Sequence, residues 1–351
     1  MAQTVQFTAQ REVALIDCAA QPLTAGSVRV RTWYSGISAG TELTAYRGSN
    51  PYLTRTWDSE RRLFRDGPPT FAYPLIGWGY SEVGEVVEIA DDVTGFEIGQ
   101  VVYGIWGHRS DAVLRADVLA GATLEPGQDP VVGAFARVGA IALNAVLASD
   151  ARLGERLVVF GQGVIGLLAT RLAVVSGVYV IAVDLHPERL ESARALGASQ
   201  TVVASVDGGA GDAVRALSRD VGVDAAIELS GSYAALHEAV RSVAVDGTVV
   251  AAGFYQAGAD QLLLGEEFHH NRVRIVSSQI SGTPLSLGPR WYPKRLVAVF
   301  MRLVAAGKVD VRQLVSDIVA AEDVGTAFER LDAGAPETLQ ILLRFDAAPS
   351  R

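Results

Sequence analysis

The chain has 351 residues, 49% of them hydrophobic and 20% charged, with 36 glycines and a single cysteine, Cys18. At ~100–200 residues per domain this length predicts two or three domains, and one cysteine excludes an internal disulfide and any clustered-cysteine metal site. Lys plus Arg number 30 against 39 for Asp plus Glu, giving a formal charge of −9 whose long-range field disfavours nucleic acid.

No uninterrupted apolar run approaches the ~18–20 residues that span a bilayer, and the first residues lack the basic start and long apolar core of a signal peptide. The expectation is a cytoplasmic enzyme with neither a membrane nor a nucleic-acid partner. The five histidines, His108, His186, His237, His269 and His270, leave metal binding open only through imidazoles and carboxylates.

The first 125 residues read as β-rich, with short strands at Val28–Trp33, Gly84–Ile89 and Ala112–Leu114 between Gly, Pro and Asp turns. Between them Ser49–Trp78 is a long connection rich in proline, arginine and aromatics, with a short helix predicted near Asp58–Phe64. After Gly127 the pattern changes. Val132–Ala148 predicts a buried helix, and strands at Leu157–Phe160, Tyr179–Val183, Thr201–Ala204, Asp224–Leu229, Thr248–Ala252 and Val273–Ser277 alternate with helices at Gly163–Ser176, Pro187–Ala195, Ala210–Asp220 and Tyr233–Val243. That alternation predicts a parallel sheet covered by helices. Helices at Tyr292–Ala306 and Ala321–Leu331 and a strand at Thr338–Phe345 complete the pattern.

The sharpest motif is Gly161-Gln162-Gly163-Val164-Ile165-Gly166, directly after a strand and opening a helix. Gly161 permits the tight turn, Gly163 lets a pyrophosphate approach the backbone, and Gly166 allows close helix–strand packing. Free amides at the helix start then favour phosphate. Asp184 follows Gly166 by 18 residues, at the end of the second strand. There it can accept from adenosine ribose hydroxyls and repel a 2′-phosphate, which favours NAD(H) over NADP(H); capping the next helix is its alternative role. His186 and Arg189 lie close enough in sequence to soften the exclusion. Ser230-Gly231 and Gly253-Phe254, at later strand ends, are candidates for the nicotinamide half.

From these residues the chain resembles the medium-chain dehydrogenase/reductase superfamily, whose best-known members are zinc alcohol dehydrogenases. The resemblance implies an α/β architecture: a Rossmann NAD-binding domain over 128–311 and a β-rich GroES-like catalytic domain over 1–127 and 312–351. It also implies a cofactor cleft between the domains and a homodimer or tetramer joined through Val273–Ser277. Ser35-Gly36-Ile37-Ser38-Ala39-Gly40-Thr41-Glu42 matches a family segment whose zinc-binding members carry cysteine at the place of Ser38 or Ala39, and Gly79-Tyr80-Ser81 stands where they carry Gly-His-Glu. Neither replacement is a good neutral-pH zinc ligand, and the four-cysteine structural lobe is missing from the sequence. The resemblance is therefore to a zinc-independent branch, with partial similarity to bacteriochlorophyllide hydroxyethyl dehydrogenases.

Without zinc, protein donors must stabilise the developing alkoxide or enolate. Tyr80 is the first candidate donor, with Glu42 and His108 as a relay and Ser38 as a weaker donor; each has a structural alternative. His269 and His270, adjacent in an extended segment, are expected to face opposite ways and not to bind metal. Trp57, Trp78, Trp106, Arg290 and Trp291 suggest an aromatic-lined substrate pocket. Arg55, Arg61, Arg62 and Arg65 would suit an anionic or polyhydroxylated substrate if they faced inward. The favoured reading is NAD(H)-dependent interconversion of a secondary alcohol and a ketone. The alternatives are an NAD(P)H-dependent enone or quinone reductase and a noncatalytic cofactor-binding protein.

Overall fold

The computed structural model describes residues 1–256 and 258–345. The chain divides into two compact units, one of Met1–Arg137 with Val311–Arg351 and one of Val138–Asp310. The first division falls ten residues later than the expected 127/128. The reason is a 3-10 turn, Pro130–Phe135, whose Gly133 packs so closely on Val83 and Tyr103 that a Cβ there would come within 2.8 Å of the Val83 side chain. Residues 346–351 of the expected catalytic domain lie outside the described residues.

The first unit opens on a hairpin the sequence patterning missed, β1 (Ala2–Ala9) with β2 (Glu12–Cys18), paired antiparallel. Then come β3 (Ser27–Gly36) and α1 (Thr41–Arg47). The helix expected near Asp58–Phe64 is instead a hairpin of β4 (Thr56–Asp58) and β5 (Leu63–Arg65). Two causes are visible: Arg62 has φ +55°, which breaks a helix, and Trp57 packs cross-strand on Phe64 with ring centroids 4.9 Å apart. β6 (Leu75–Ile76), β7 (Glu82–Ile89), β8 (Val101–Gly104), β9 (Asp111–Arg115) and α2 (Ala116–Leu119) follow.

α3 (Ala136–Ala148) leads into the second unit. Together with the preceding turn, Pro130–Ala148 is long and apolar enough to cross a membrane, but 72% of its most apolar window is buried; Gly139 lies directly against the Phe300 ring. This is the packing of a core helix. β10 (Arg156–Phe160), α4 (Val164–Val175), β11 (Tyr179–Asp184), α5 (Pro187–Ala195), β12 (Gln200–Val203), α6 (Ala210–Leu217), β13 (Val223–Glu228), α7 (Tyr233–Ser242), β14 (Val243–Ala251), β15 (Arg274–Ser277) and α8 (Pro293–Ala305) then alternate. The six strands form one parallel sheet, ordered β12-β11-β10-β13-β14-β15. Helices cover both faces of such a sheet, so its central strands read as continuous apolar runs: Leu157, Val158 and Val159 are each 0% exposed. The order reverses between β10 and β13, and ligands bind beyond strand carboxyl ends at such a switch point.

The chain then returns to the first unit through β16 (Val315–Ala320), α9 (Val324–Ala333) and β17 (Gln340–Arg344). β17 pairs with β3, and the sheet runs β16-β17-β3-β7-β8 with β9 also on β3. One core joins Val5, Phe7, Ile37 and Leu43 to Phe328 and Ile341; another gathers Val28, Val30, Val86, Val102 and Trp106. The architecture is α/β, a Rossmann unit and a β-rich GroES-like unit.

Candidate functional site

In the Rossmann unit the glycine motif occupies the β10–α4 turn. Gly161 has φ +84°, and a Cβ on Gly166 would lie 1.8 Å from the Gly161 carbonyl oxygen, so the helix rests on the turn only because Gly166 has no side chain. Gly163 faces open space and caps α4 with no side-chain hydrogen bond. The first-turn amides of α4, at Val164 and Ile165, therefore stand ready for an anion.

Gln162 behaves differently from its neighbours. Its side chain is fully buried, donating to the Val159 carbonyl at 2.8 Å and accepting from Thr170 at 3.0 Å. Its backbone amide donates to Asp184 Oδ2 at 2.6 Å. Asp184 Oδ1 accepts from the His186 amide at 2.9 Å, so this carboxylate ties the two strand-end turns together while each oxygen keeps a lone pair. Arg189 is half-buried in the first turn of α5.

The hub of the next two strand ends is Glu228, a residue the sequence reading passed over. It is 0% exposed at the end of β13. Oε1 accepts from the Ser230 amide (2.7 Å) and hydroxyl, and Oε2 from the Gly231 amide (3.1 Å) and the Tyr255 hydroxyl. Burial pushes its carboxyl up, and these donors pull it back. The Ser230 hydroxyl is thus spent on Glu228 rather than free for a cofactor. Gly253 meets Gly231 so closely that a Cβ would lie 2.4 Å from the Gly231 nitrogen, while the neighbouring Phe254 side chain is 41% exposed. A carboxylate ending an apolar strand was the available signal, as it was for Asp184.

In the GroES-like unit, His108 is buried and its ring is held at both nitrogens. Nε2 is 2.6 Å from Glu42 Oε2 and Nδ1 is 2.6 Å from Ser35 Oγ. Ser35 Oγ donates to Glu82 Oε1 at 3.0 Å, and Glu82 Oε2 accepts from the Trp106 amide at 2.7 Å. With the Ser35 proton given to Glu82, both imidazole nitrogens act as donors. Burial alone would lower the His108 pKa, but Glu42 and then Glu82 raise it on balance. This makes a buried, charged strut between β3, α1 and β7.

Tyr80 stands beside this strut but is not hydrogen-bonded to it. Its hydroxyl makes a short hydrogen bond with Ser38. The proposed relay from Tyr80 through Glu42 to His108 therefore has no hydrogen-bonded link at Tyr80, and Glu42 Oε1 is buried with no partner. Burial pushes the Tyr80 phenol up and the Glu42 charge pushes the same way; Ser38, Thr41 and Arg137 pull it down by less. Tyr80 is thus held as a protonated donor, and the sequence reading's requirement that its pKa fall for base work is not met. Arg137, also unassigned by sequence, is half-buried near the start of α3. Burial lowers its pKa and Tyr80 opposes that.

The aromatic candidates do not assemble as one lining. Trp106 lies in a separate core, 7% exposed, with its indole donating to Thr32 at 2.9 Å. Trp57 and Trp78 join instead through a Tyr52–Phe71 stack. Trp291, in the Rossmann unit, carries the Arg295 guanidinium 4.6 Å above its ring, and Arg290 is exposed. Arg55, Arg61 and Arg65 are exposed and paired with Asp66 or Asp58, so they do not form an inward anion site. His269 and His270 sit in a helical turn with rings 5.3 Å apart, edge to face, rather than on opposite sides of a strand.

A divalent metal can be tested against these donors. At Ser38 and Tyr80 the set is two hydroxyls, one a phenol held protonated, with a guanidinium in electrostatic reach. That set does not fit zinc, which takes thiolate, imidazole or carboxylate. Elsewhere among the described residues, His237, Glu266 and Glu267 place one donor atom each within 4.8 Å, but Arg241 already pairs with Glu267.

A family model described as zinc-binding dehydrogenase matches residues 164–291. D-guloside 3-dehydrogenase of Escherichia coli (strain K12) is 28% identical over 319 residues, covering 89% of this chain and 91% of that protein. The (R,R)-butanediol dehydrogenase of Bacillus subtilis (strain 168) is 26% identical over 329 residues, covering 86% and 88%. A solved zinc-binding dehydrogenase from Sinorhizobium meliloti 1021, bound to NADP, superposes with a TM-score of 0.78 at 19% identity, covering 98% of this chain and 99% of that one. These matches, together with the glycine turn and the two-unit architecture, make the chain similar to zinc-binding and polyol dehydrogenases over most of its length, and its fold is that of the medium-chain dehydrogenase/reductase superfamily.

Proposed function

We propose that this protein interconverts a secondary alcohol and a ketone with NAD(H), without catalytic zinc. The observation that carries the reading is the Tyr80–Ser38 hydroxyl pair, with Tyr80 held protonated beside a buried charged strut. The cofactor supplies or takes the hydride. Tyr80 donates to the substrate oxygen, Ser38 orients the phenol, and His108 with Glu42 holds the β3–α1 turn that carries Ser38. The α4 amides and Gly163 receive the pyrophosphate, and Asp184 favours the ribose hydroxyls over a 2′-phosphate. Relatives that act on a guloside and a butanediol support a substrate with neighbouring hydroxyls. We further propose a cytoplasmic homodimer formed through the outer edge of β15, which ends its sheet.

The test is cofactor oxidation with a panel of ketoses, hydroxyketones, enones and quinones, using NADH and NADPH in parallel. NADH oxidation by a ketone supports the reading. NADPH oxidation by an enone or quinone moves the protein to the second enzyme class, and tight NADH binding with no hydride transfer leaves a noncatalytic binder.

A further inference from the structure

One buried carboxylate ties together the strand ends of the Rossmann unit. The sheet order β12-β11-β10-β13-β14-β15 divides at its switch point into two halves, and a dinucleotide lies across them with one nucleotide on each. Asp184 ends β11, so the adenosine half falls on the β10 side and the nicotinamide half on β13 and β14. Glu228 is the last residue of β13. Its main-chain carbonyl accepts from the Ala252 and Gly253 amides, both at 2.9 Å. Its carboxylate accepts from the Ser230 and Gly231 amides and from the Ser230 and Tyr255 hydroxyls. With two donors on each oxygen all four lone-pair positions are filled, and no cation pairs with this carboxylate among the described residues.

The turns held by Glu228 touch the glycine motif and each other. A Cβ on Gly161 would lie 2.9 Å from the Ser230 nitrogen, and one on Gly231 would lie 3.0 Å from the Phe254 carbonyl oxygen. Tyr255 closes the arrangement. Its ring packs on Tyr233 at the start of α7, with centroids 5.0 Å apart, and its hydroxyl reaches back past the Gly253–Phe254 turn to Glu228. An anion buried among neutral donors becomes costly when any donor leaves. The two turns are therefore held as a set, while the Phe254 side chain stays 41% exposed.

We propose that Tyr255 and Glu228 are positioning residues for the nicotinamide half of the cofactor: their hydrogen bond holds the Gly253–Phe254 turn against Ser230–Gly231, and the turn, not the pair, meets the cofactor. The inference rests on the nicotinamide-cofactor site assigned above and is independent of the ketone. The Tyr255 hydroxyl is the one side-chain donor to Glu228 that comes from the β14 end. Removing it releases the Gly253–Phe254 turn and leaves Ser230 and Gly231 on the carboxylate, so the Gly161 contact stays in place. The adenosine half, held by the α4 amides and Asp184, is left as it was.

The test is calorimetric titration of the full chain with NADH and with ADP-ribose, which carries the adenosine and the pyrophosphate but no nicotinamide. Tyr255→Phe keeps the ring on Tyr233 and removes one donor. Its NADH Kd should rise about tenfold, as expected for loss of a hydrogen bond to a charged group, with the ADP-ribose Kd unchanged. Glu228→Gln, which turns one acceptor into a donor facing donors, should also weaken NADH more than ADP-ribose. A role in stability alone would weaken both ligands equally or neither. An unmoved NADH Kd in Tyr255→Phe, or equal losses for NADH and ADP-ribose, overturns the proposal, and Tyr255→Phe decides it if Glu228→Gln does not fold. A parent protein that binds neither ligand contradicts the cofactor site itself and the proposal with it.

Discussion

Replacing His108 with leucine tests the buried strut. The imidazole is 1% exposed and Glu42 is 0% exposed, with Oε1 already lacking a partner. Leucine fills the space but leaves the Glu42 carboxylate and Ser35 without their ring donor. Breaking one side of a buried ion pair costs about 3–5 kcal/mol. At about 2–4 °C per kcal/mol for a unit of this size, the expected fall in Tm is roughly 6–20 °C in the transition of the GroES-like unit. Differential scanning calorimetry separates that transition from the Rossmann unit, whose NADH affinity should be unchanged. The double variant His108→Leu with Glu42→Leu should lose less than the sum of the singles, by about 0.5–3 kcal/mol. A fall under 2 °C for His108→Leu, or strict additivity, would mean that the strut contributes no net stability.

The same strut sets a pH dependence. Burial lowers the His108 pKa, but Glu42 and Glu82 raise it above the ordinary value, so its contribution is complete below about pH 6.5 and is lost as pH rises through the folded value. Glu82, pushed up by burial, has the same sign. Denaturant midpoints should therefore decline above about pH 6.5, and His108→Leu should flatten that decline. Asp184→Asn should shift the NADH-to-NADPH preference toward NADPH by about tenfold, worth about 1.4 kcal/mol; an unchanged ratio of kcat/KM values would remove Asp184 from cofactor choice. Gly253→Ala should weaken NADH binding by tenfold or more in a fluorescence titration, because its methyl group would press within 2.5 Å of the Gly231 backbone; normal affinity would show that the two strand ends do not need this approach.

Features carried by neighbouring residues were legible in the sequence. The glycine turn and Asp184 lie within one strand–helix–strand unit, and the tight turn and its close helix contact follow from spacing alone. Features made by distant residues were not. Glu228 acquires its role from Ser230 and from Tyr255, which lies on another strand's loop; His108 meets Glu42 from 66 positions away. Trp106 counted among the aromatics, yet only the sheet shows that it fills a core. The helix expected near Asp58–Phe64 gives way to a hairpin because Arg62 takes a positive φ and Trp57 packs across on Phe64.

The most direct measurement is ketone reduction by protein stripped with chelator and shown by elemental analysis to hold no zinc, run beside Tyr80→Phe. The account predicts full turnover in the metal-free parent and a loss of about a hundredfold or more in Tyr80→Phe, with NADH affinity unchanged in both. Activity that vanishes on chelation and returns with one zinc per chain, or a Tyr80→Phe variant as fast as the parent, would contradict it.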